Sequence, residues 1–259
     1  MSDHPTRLVL GTPVLVVDGG TAVRIIDDRI RRGEPTGVAF LNAHLANVAT
    51  RESDVADALQ RFLVLNDGIG VDLASHILYG KPFPENLNGT DFTSRLLETT
   101  EHALRIFLIG GRASVVERAA AVIRQRWPTH FIVGYHHGYF SDNEENGIAA
   151  TISALAPSLI LVAMGNPRQE RWIAKHAMKM NTCAMAVGAY FDFLTGEISR
   201  APFWMRRARL EWVYRLFLEP RRMWKRYLIG NFVFLARVVR ERICRKYKRS
   251  IGVRISGFD

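Results

Sequence analysis

A chain of 259 residues with 48% apolar content is long enough to bury a sizeable core, as one α/β domain or a domain plus an appendage. Its net charge of +10 is unevenly placed: Arg200 to Asp259 hold 17 Lys/Arg against 4 Asp/Glu, so the first 199 residues sum to −3. Two cysteines, Cys183 and Cys244, exclude a disulfide framework and suit a reducing cytosol, and Met1–Pro5 does not open a secretory signal.

In chain order, short apolar runs predict strands at Val14–Val17, Val38–Leu41, Phe62–Leu65, Ile106–Ile109, Phe131–Val133, Leu159–Val162 and Ala184–Val187. Helical spacing between most of them predicts helices at Thr21–Arg31, Thr90–Leu104, Ala113–Trp127, Asn143–Leu155 and Pro167–Met178. This alternation predicts an α/β fold, a mostly parallel Rossmann-like sheet with helices on both faces. Residues 1–199 are expected to form a self-standing catalytic body and residues 200–259 a basic, amphipathic, helical appendage, with Ser199–Pro202 as a weak linker.

In such sheets the ligand lies beyond the carboxyl ends of the strands. Those ends read Leu41-Asn42, Asn66-Asp67-Gly68, Ile109-Gly110-Gly111, Ala163-Met164-Gly165-Asn166 and Val187-Gly188-Ala189. Gly110-Gly111 before a helix is either a tight turn or a cradle whose backbone N–H groups meet a phosphate. No G-x-G-x-x-G is present, which disfavours a nicotinamide dehydrogenase. At Gly165–Glu170 a proline in the first helical turn either makes a good helix start or turns Arg168 and Gln169 to the sheet edge, for a phosphate and a sugar hydroxyl. Asp67, beside glycine at a strand end, is either a turn residue or a general base; convergence of several such loops on one edge favours the base.

Taken together, Asn66–Gly70, Asn88–Phe92, Met164–Glu170, Val187–Phe193, Arg200-Ala201-Pro202, Glu211-Trp212 and Glu219–Arg222 resemble the WecG/TagA/CpsF glycosyltransferases, in the right order over about residues 10 to 240. The resemblance implies an inverting enzyme that transfers a sugar from a UDP donor to a polyprenyl-diphosphate-linked saccharide at the cytoplasmic face of the cell membrane, in surface-polysaccharide biosynthesis. It implies Asp67 as catalytic base, with Gln169 and Asn42 in the active site. Gly110, Gly111, Gly165, Arg168, Gly188 and Asp192 would line the donor, with appendage cations Arg215, Arg222, Lys225 and Arg226 over its diphosphate. Asn88 and Asp91 would meet the acceptor. Two departures bear on the sugar: Phe40 and Asn86 stand where mannosaminyl-transferring members usually have Thr and Arg. They favour UDP-glucose over UDP-N-acetylmannosamine or its uronic acid.

The residues also bear on leaving-group chemistry. No Asp-x-Asp and no His/Cys cluster with metal spacing occurs, so no metal or other cofactor is expected, and arginines are the available counter-charge. His136-His137 reads as a surface or supporting pair. In the tail, Trp224, Leu228, Phe232, Leu235, Val239 and Ile243 recur every three or four residues among arginines, either packing on the body or a partner, or meeting an anionic membrane surface reversibly. Gly230-Asn231 would divide that helix, and its charge-free stretch is too short to span a bilayer. A nucleic-acid-binding protein would share the basic tail, but no nucleic-acid partner is expected, because no helix-turn-helix, RRM or KH pattern is visible.

Overall fold

The structure, a computed structural model, describes residues 4–202, 205, 211–218 and 220–250; the side chains of residues 215, 222, 223, 226, 227 and 248–250 lie outside the described set. The chain opens with an antiparallel hairpin, β1 (Thr6–Val9) and β2 (Thr12–Leu15). Leu10 and Gly11 turn it with φ of 49° and 82°, the paired positive values of a tight hairpin turn. The run at Val14–Val17 therefore starts a separate two-stranded sheet rather than the main one.

Six strands form the main sheet: β3 (Thr36–Leu41), β4 (Leu63–Asn66), β5 (Arg105–Gly110), β6 (Phe131–His136), β7 (Leu159–Ala163) and β8 (Cys183–Ala186). Their order is β4-β3-β8-β7-β5-β6, and every neighbouring pair is parallel, as the strand-helix alternation predicts. Side chains alternate between two cores. Val38 and Phe40 of β3 enter one core, and Ala39 and Leu41 the other. The first core is closed by α1 (Gly19–Arg31), α5 (Gly89–Thr99), α6 (Ala113–Arg126) and α9 (Tyr190–Leu194). The second is closed by α2 (Ala43–Ala49), α3 (Ser53–Arg61), α4 (Ile69–Tyr79), α7 (Asp142–Ala154) and α8 (Arg168–Lys175). Coverage on both faces explains why β3, β4, β7 and β8 read as unbroken apolar runs.

Three helices of the second layer, α2, α3 and α4, are absent from the sequence-based expectation. In α4 the apolar residues Ile69, Val71, Leu73, Ala74, Ile77 and Leu78 spread over more than half of the helix circumference instead of forming one narrow stripe. The reason lies far along the chain. After α10 (Glu211–Leu218), α11 (Pro220–Trp224) and a π-helical segment (Lys225–Ile229), a 21-residue helix, α12 (Gly230–Ser250), packs against α2 and α4. Its Phe234 and Val238 are core residues, so α4 is covered on a second side. The division at Ser199 accordingly does not separate two packing units, because the appendage completes the core of the body. The expected break at Gly230-Asn231 coincides with the junction between the π-helical segment and α12.

Candidate active site

Because the main sheet is all parallel, the carboxyl ends of its strands share one edge. Leu41 and Asn66 are register partners in β3 and β4, so the following residues, Asn42 and Asp67, stand side by side. Asn42 caps α2: its Oδ1 accepts from the Leu45 N–H at 3.0 Å, and this leaves Nδ2 directed at Asp67 Oδ2, 3.5 Å away. That contact is at the outer limit of a hydrogen bond. The pair sets a carboxylate at the strand edge, where a general base would act.

The turn carrying Asp67 is held from behind. Gly68 has φ +85°, a conformation that side chains avoid, and its N–H donates to Asn86 Oδ1 at 2.7 Å. Buried Asn66 donates through Nδ2 to the Glu85 carbonyl at 2.9 Å, and the Asn66 carbonyl accepts from the Leu87 N–H at 3.0 Å. Residues 85–87 are thus stitched to the turn. Asn86, legible in the sequence only as a departure from a family pattern, is one of those stitches. The other departure, Phe40, is buried 5.8 Å from the Phe92 ring, and its ring lies 3.0 Å from where a Gly89 Cβ would be. It underlies the start of α5.

Asn88 and Asp91, expected to meet the acceptor, engage each other at that start. Asn88 Oδ1 accepts from the Asp91 N–H and Asn88 Nδ2 donates to Asp91 Oδ2, both at 2.9 Å. Arg200 Nη2 donates to Asp91 Oδ1 at 2.7 Å, a contact that no sequence spacing announces.

Along the rest of the edge, Gly110 (φ +136°) is required by packing as well as by conformation. A Cβ there would lie 2.3 Å from the Ala163 carbonyl oxygen. The Gly111 N–H donates to that same oxygen at 3.0 Å, so this donor closes the sheet and does not face a phosphate. What the glycine pair does leave for an anion is the start of α6, whose N-cap Arg112 makes no side-chain capping bond.

Gln169 is 2% exposed and binds in four directions: Oε1 accepts from the Gly165 N–H (3.2 Å) and the Gly188 N–H (3.1 Å), and Nε2 donates to Glu170 Oε1 (2.9 Å) and the Ala186 carbonyl (3.2 Å). The expected sugar contact is therefore replaced here by a clip between the β7 and β8 loops, since both ends of the amide are occupied by protein groups. Arg168 reaches along the edge to the loop that follows β6, its Nη2 donating to the Phe140 carbonyl at 2.9 Å with the guanidinium 4.9 Å from the Phe140 ring. His136 and His137 lie beside it with centroids 4.4 Å apart and ring planes tilted by 45°. Asp192 lies half-buried in α9, its carbonyl accepting from the Ile198 N–H at 3.2 Å.

Of the appendage cations, the side chains of Arg215, Arg222 and Arg226 lie outside the described residues. Lys225 is exposed, its Nζ 5.6 Å from the Trp224 ring. Among the described residues no group of three or more His, Cys, Asp or Glu could hold a metal ion.

Comparison with known proteins gives the family of the chain. The model of the glycosyl transferase WecG/TagA/CpsF family matches residues 7–248. The chain is 33% identical over 194 residues, 74% of each chain, to the N-acetylglucosaminyldiphosphoundecaprenol N-acetyl-beta-D-mannosaminyltransferase of Bacillus subtilis. It is 30% identical over 200 residues, 76% of this chain and 78% of the other, to the protein of the same name from Staphylococcus aureus.

Proposed function

The chain belongs to the WecG/TagA/CpsF glycosyltransferase family, and from that premise we propose that it transfers a hexose with inversion from a UDP-sugar to a polyprenyl-diphosphate-linked saccharide in bacterial surface-polysaccharide biosynthesis. The observation that carries this reading is the Asn42–Asp67 pair at the carboxyl ends of β3 and β4. Asp67 takes the proton of the acceptor hydroxyl as that oxygen attacks the anomeric carbon; the carbon–oxygen bond to the diphosphate breaks, and UDP departs with its electron pair. Inversion follows from one direct displacement. The open start of α6 and the appendage arginines supply the positive potential that a departing diphosphate needs.

The donor we propose first is UDP-glucose, on the strength of Phe40 and Asn86. The names of the relatives favour N-acetylmannosamine, which is the second reading. Asn86 supports a bearing on the donor through the Gly68 turn; Phe40, being buried, acts only through the seat of α5. A screen of UDP-glucose, UDP-N-acetylmannosamine and its uronic acid with a polyprenyl-linked acceptor tests both readings, run with and without EDTA because metal-independent transfer is part of the proposal. Transfer from none of these donors would overturn the function, and activity restored only by Mg²⁺ or Mn²⁺ would overturn metal independence.

We place the enzyme peripherally on the cytoplasmic face of the membrane. Among the described residues no helix is long and apolar enough to cross a bilayer. The basic C-terminal region instead carries exposed Trp224, Leu228, Phe232, Val239 and Ile243, a combination that supports interfacial binding to anionic lipid.

A further inference from the structure

We infer that the first two turns of α4 form an apolar lip that receives the lipid chain of the acceptor. This inference rests on the reading of the acceptor as polyprenyl-linked. Ile69 and Leu73 are each 43% exposed, lie four residues apart on one face of α4, and begin two residues after Asp67. A single exposed aliphatic residue needs no explanation; a pair that continues into a larger apolar face does.

The continuation is α12, which runs parallel to α4. Phe234 sits at Gly70, 3.8 Å from where a Cβ would be, and Arg242 Nη1 donates to the Leu78 carbonyl at 3.1 Å, two turns further along both helices. On the opposite flank Arg237 Nη1 donates to Asn47 Oδ1 of α2 at 2.8 Å. With Phe234 and Val238 inward and an arginine holding each flank, the helical repeat turns Phe232, Val239 and Ile243 outward beside the exposed face of α4. Phe232 is 75% exposed.

The occupant we assign is the polyprenyl chain rather than a second copy of the protein or a partner helix. Residues 200–259 carry a +13 balance, which complements an anionic lipid surface and a diphosphate headgroup and opposes a second, equally basic copy. The lip also adjoins the base, so a chain lying on it leaves its headgroup sugar at the carboxyl edge of β3 and β4. The relatives are named for an acceptor with this layout, a sugar joined through a diphosphate to undecaprenol.

The test is Ile69→Ser/Leu73→Ser in the full chain, with Ile69→Met/Leu73→Met as the apolar control. KM for a long-chain polyprenyl acceptor is expected to rise roughly tenfold in the Ser pair and to stay near wild type in the Met pair. kcat and KM for a short-chain, water-soluble acceptor should stay within about twofold in both, with circular dichroism and melting unchanged. Binding to anionic vesicles, with and without the polyprenyl-diphosphate saccharide, is measured alongside. The Ser pair should lose the increment due to that lipid and keep the binding due to charge. Equal effects on both acceptors, no effect on either, or a wild-type dimer that the Ser pair dissociates without a change in KM would each overturn the lip. Vesicle binding that depends on the lip in a protein that transfers no sugar would overturn the proposed function instead and leave the lip standing.

Discussion

Asn42 Nδ2 lies 3.5 Å from Asp67 Oδ2, and the two residues reach each other from the ends of adjacent parallel strands. The contact depends on a helix cap: Asn42 must hold the Leu45 N–H with its oxygen for its nitrogen to face the carboxylate. Asp67→Asn preserves shape and removes the base. Turnover should fall by about 10² to 10⁴, with UDP affinity little changed, as read by steady-state transfer and calorimetric titration with UDP. Asn42→Ala should lose about 1 kcal/mol of stability for the cap, together with part of the activity. Near-wild-type turnover of Asp67→Asn would remove the assignment.

The Gln169 clip makes a different prediction. Gln169→Ala leaves the Gly165 and Gly188 N–H groups without their acceptor and should cost about 1–3 kcal/mol in denaturant unfolding, with a fall in kcat. Gln169→Glu keeps an acceptor for both glycines but sets a carboxylate against Glu170 Oε1 and the Ala186 carbonyl, so it should be no better tolerated. If the Ala variant kept full stability and lost only substrate affinity, the amide would be a substrate contact and not a clip.

Phe234 tests whether the appendage is part of the body. Phe234→Ala removes a ring that is 1% exposed and should cost about 3–5 kcal/mol. Deleting every residue after Ser199 strips Phe234 and Val238 from the second core, so the truncated body should melt well below the full chain or aggregate. A truncated body as stable as the full chain would restore the boundary at Ser199.

Acid should loosen the α7–α8 contact. Burial alone would raise the Glu145 carboxyl, but its hydrogen bond with Lys175 and the approach of His176 Nε2 to 3.2 Å outweigh that and hold it below the usual glutamate range. A carboxyl depressed by folding contributes stability that is fully present above the unfolded value, about 4.3, and is lost as pH falls through the folded value. Glu145→Gln should therefore lower stability at neutral pH and flatten its decline in the acid range. Unfolding curves at a series of pH values decide this, and an unchanged slope would rule the bridge out as a contributor.

The sequence by itself determined the sheet. Alternating apolar runs and helical segments are local signals, and all six main strands lie where those runs predict them. The carboxyl-edge loops were legible for the same reason: a strand end followed by Asp-Gly, Gly-Gly or Gly-Asn-Pro is written in adjacent residues, and the parallel sheet then gathers the loops on one edge. Tertiary structure alone decided which of those residues face inward. Gln169 and Arg168 share a helix start, yet one clips two loops and the other turns to Phe140, because their partners come from residues 140, 186 and 188. Likewise α4 was hidden, since a helix whose apolar face covers more than half of its circumference has no narrow stripe to read until α12, more than 150 residues later, covers its second side. Partners so distant in sequence leave no periodicity behind; only packing brings Phe234 to Gly70 and makes the basic tail part of the core.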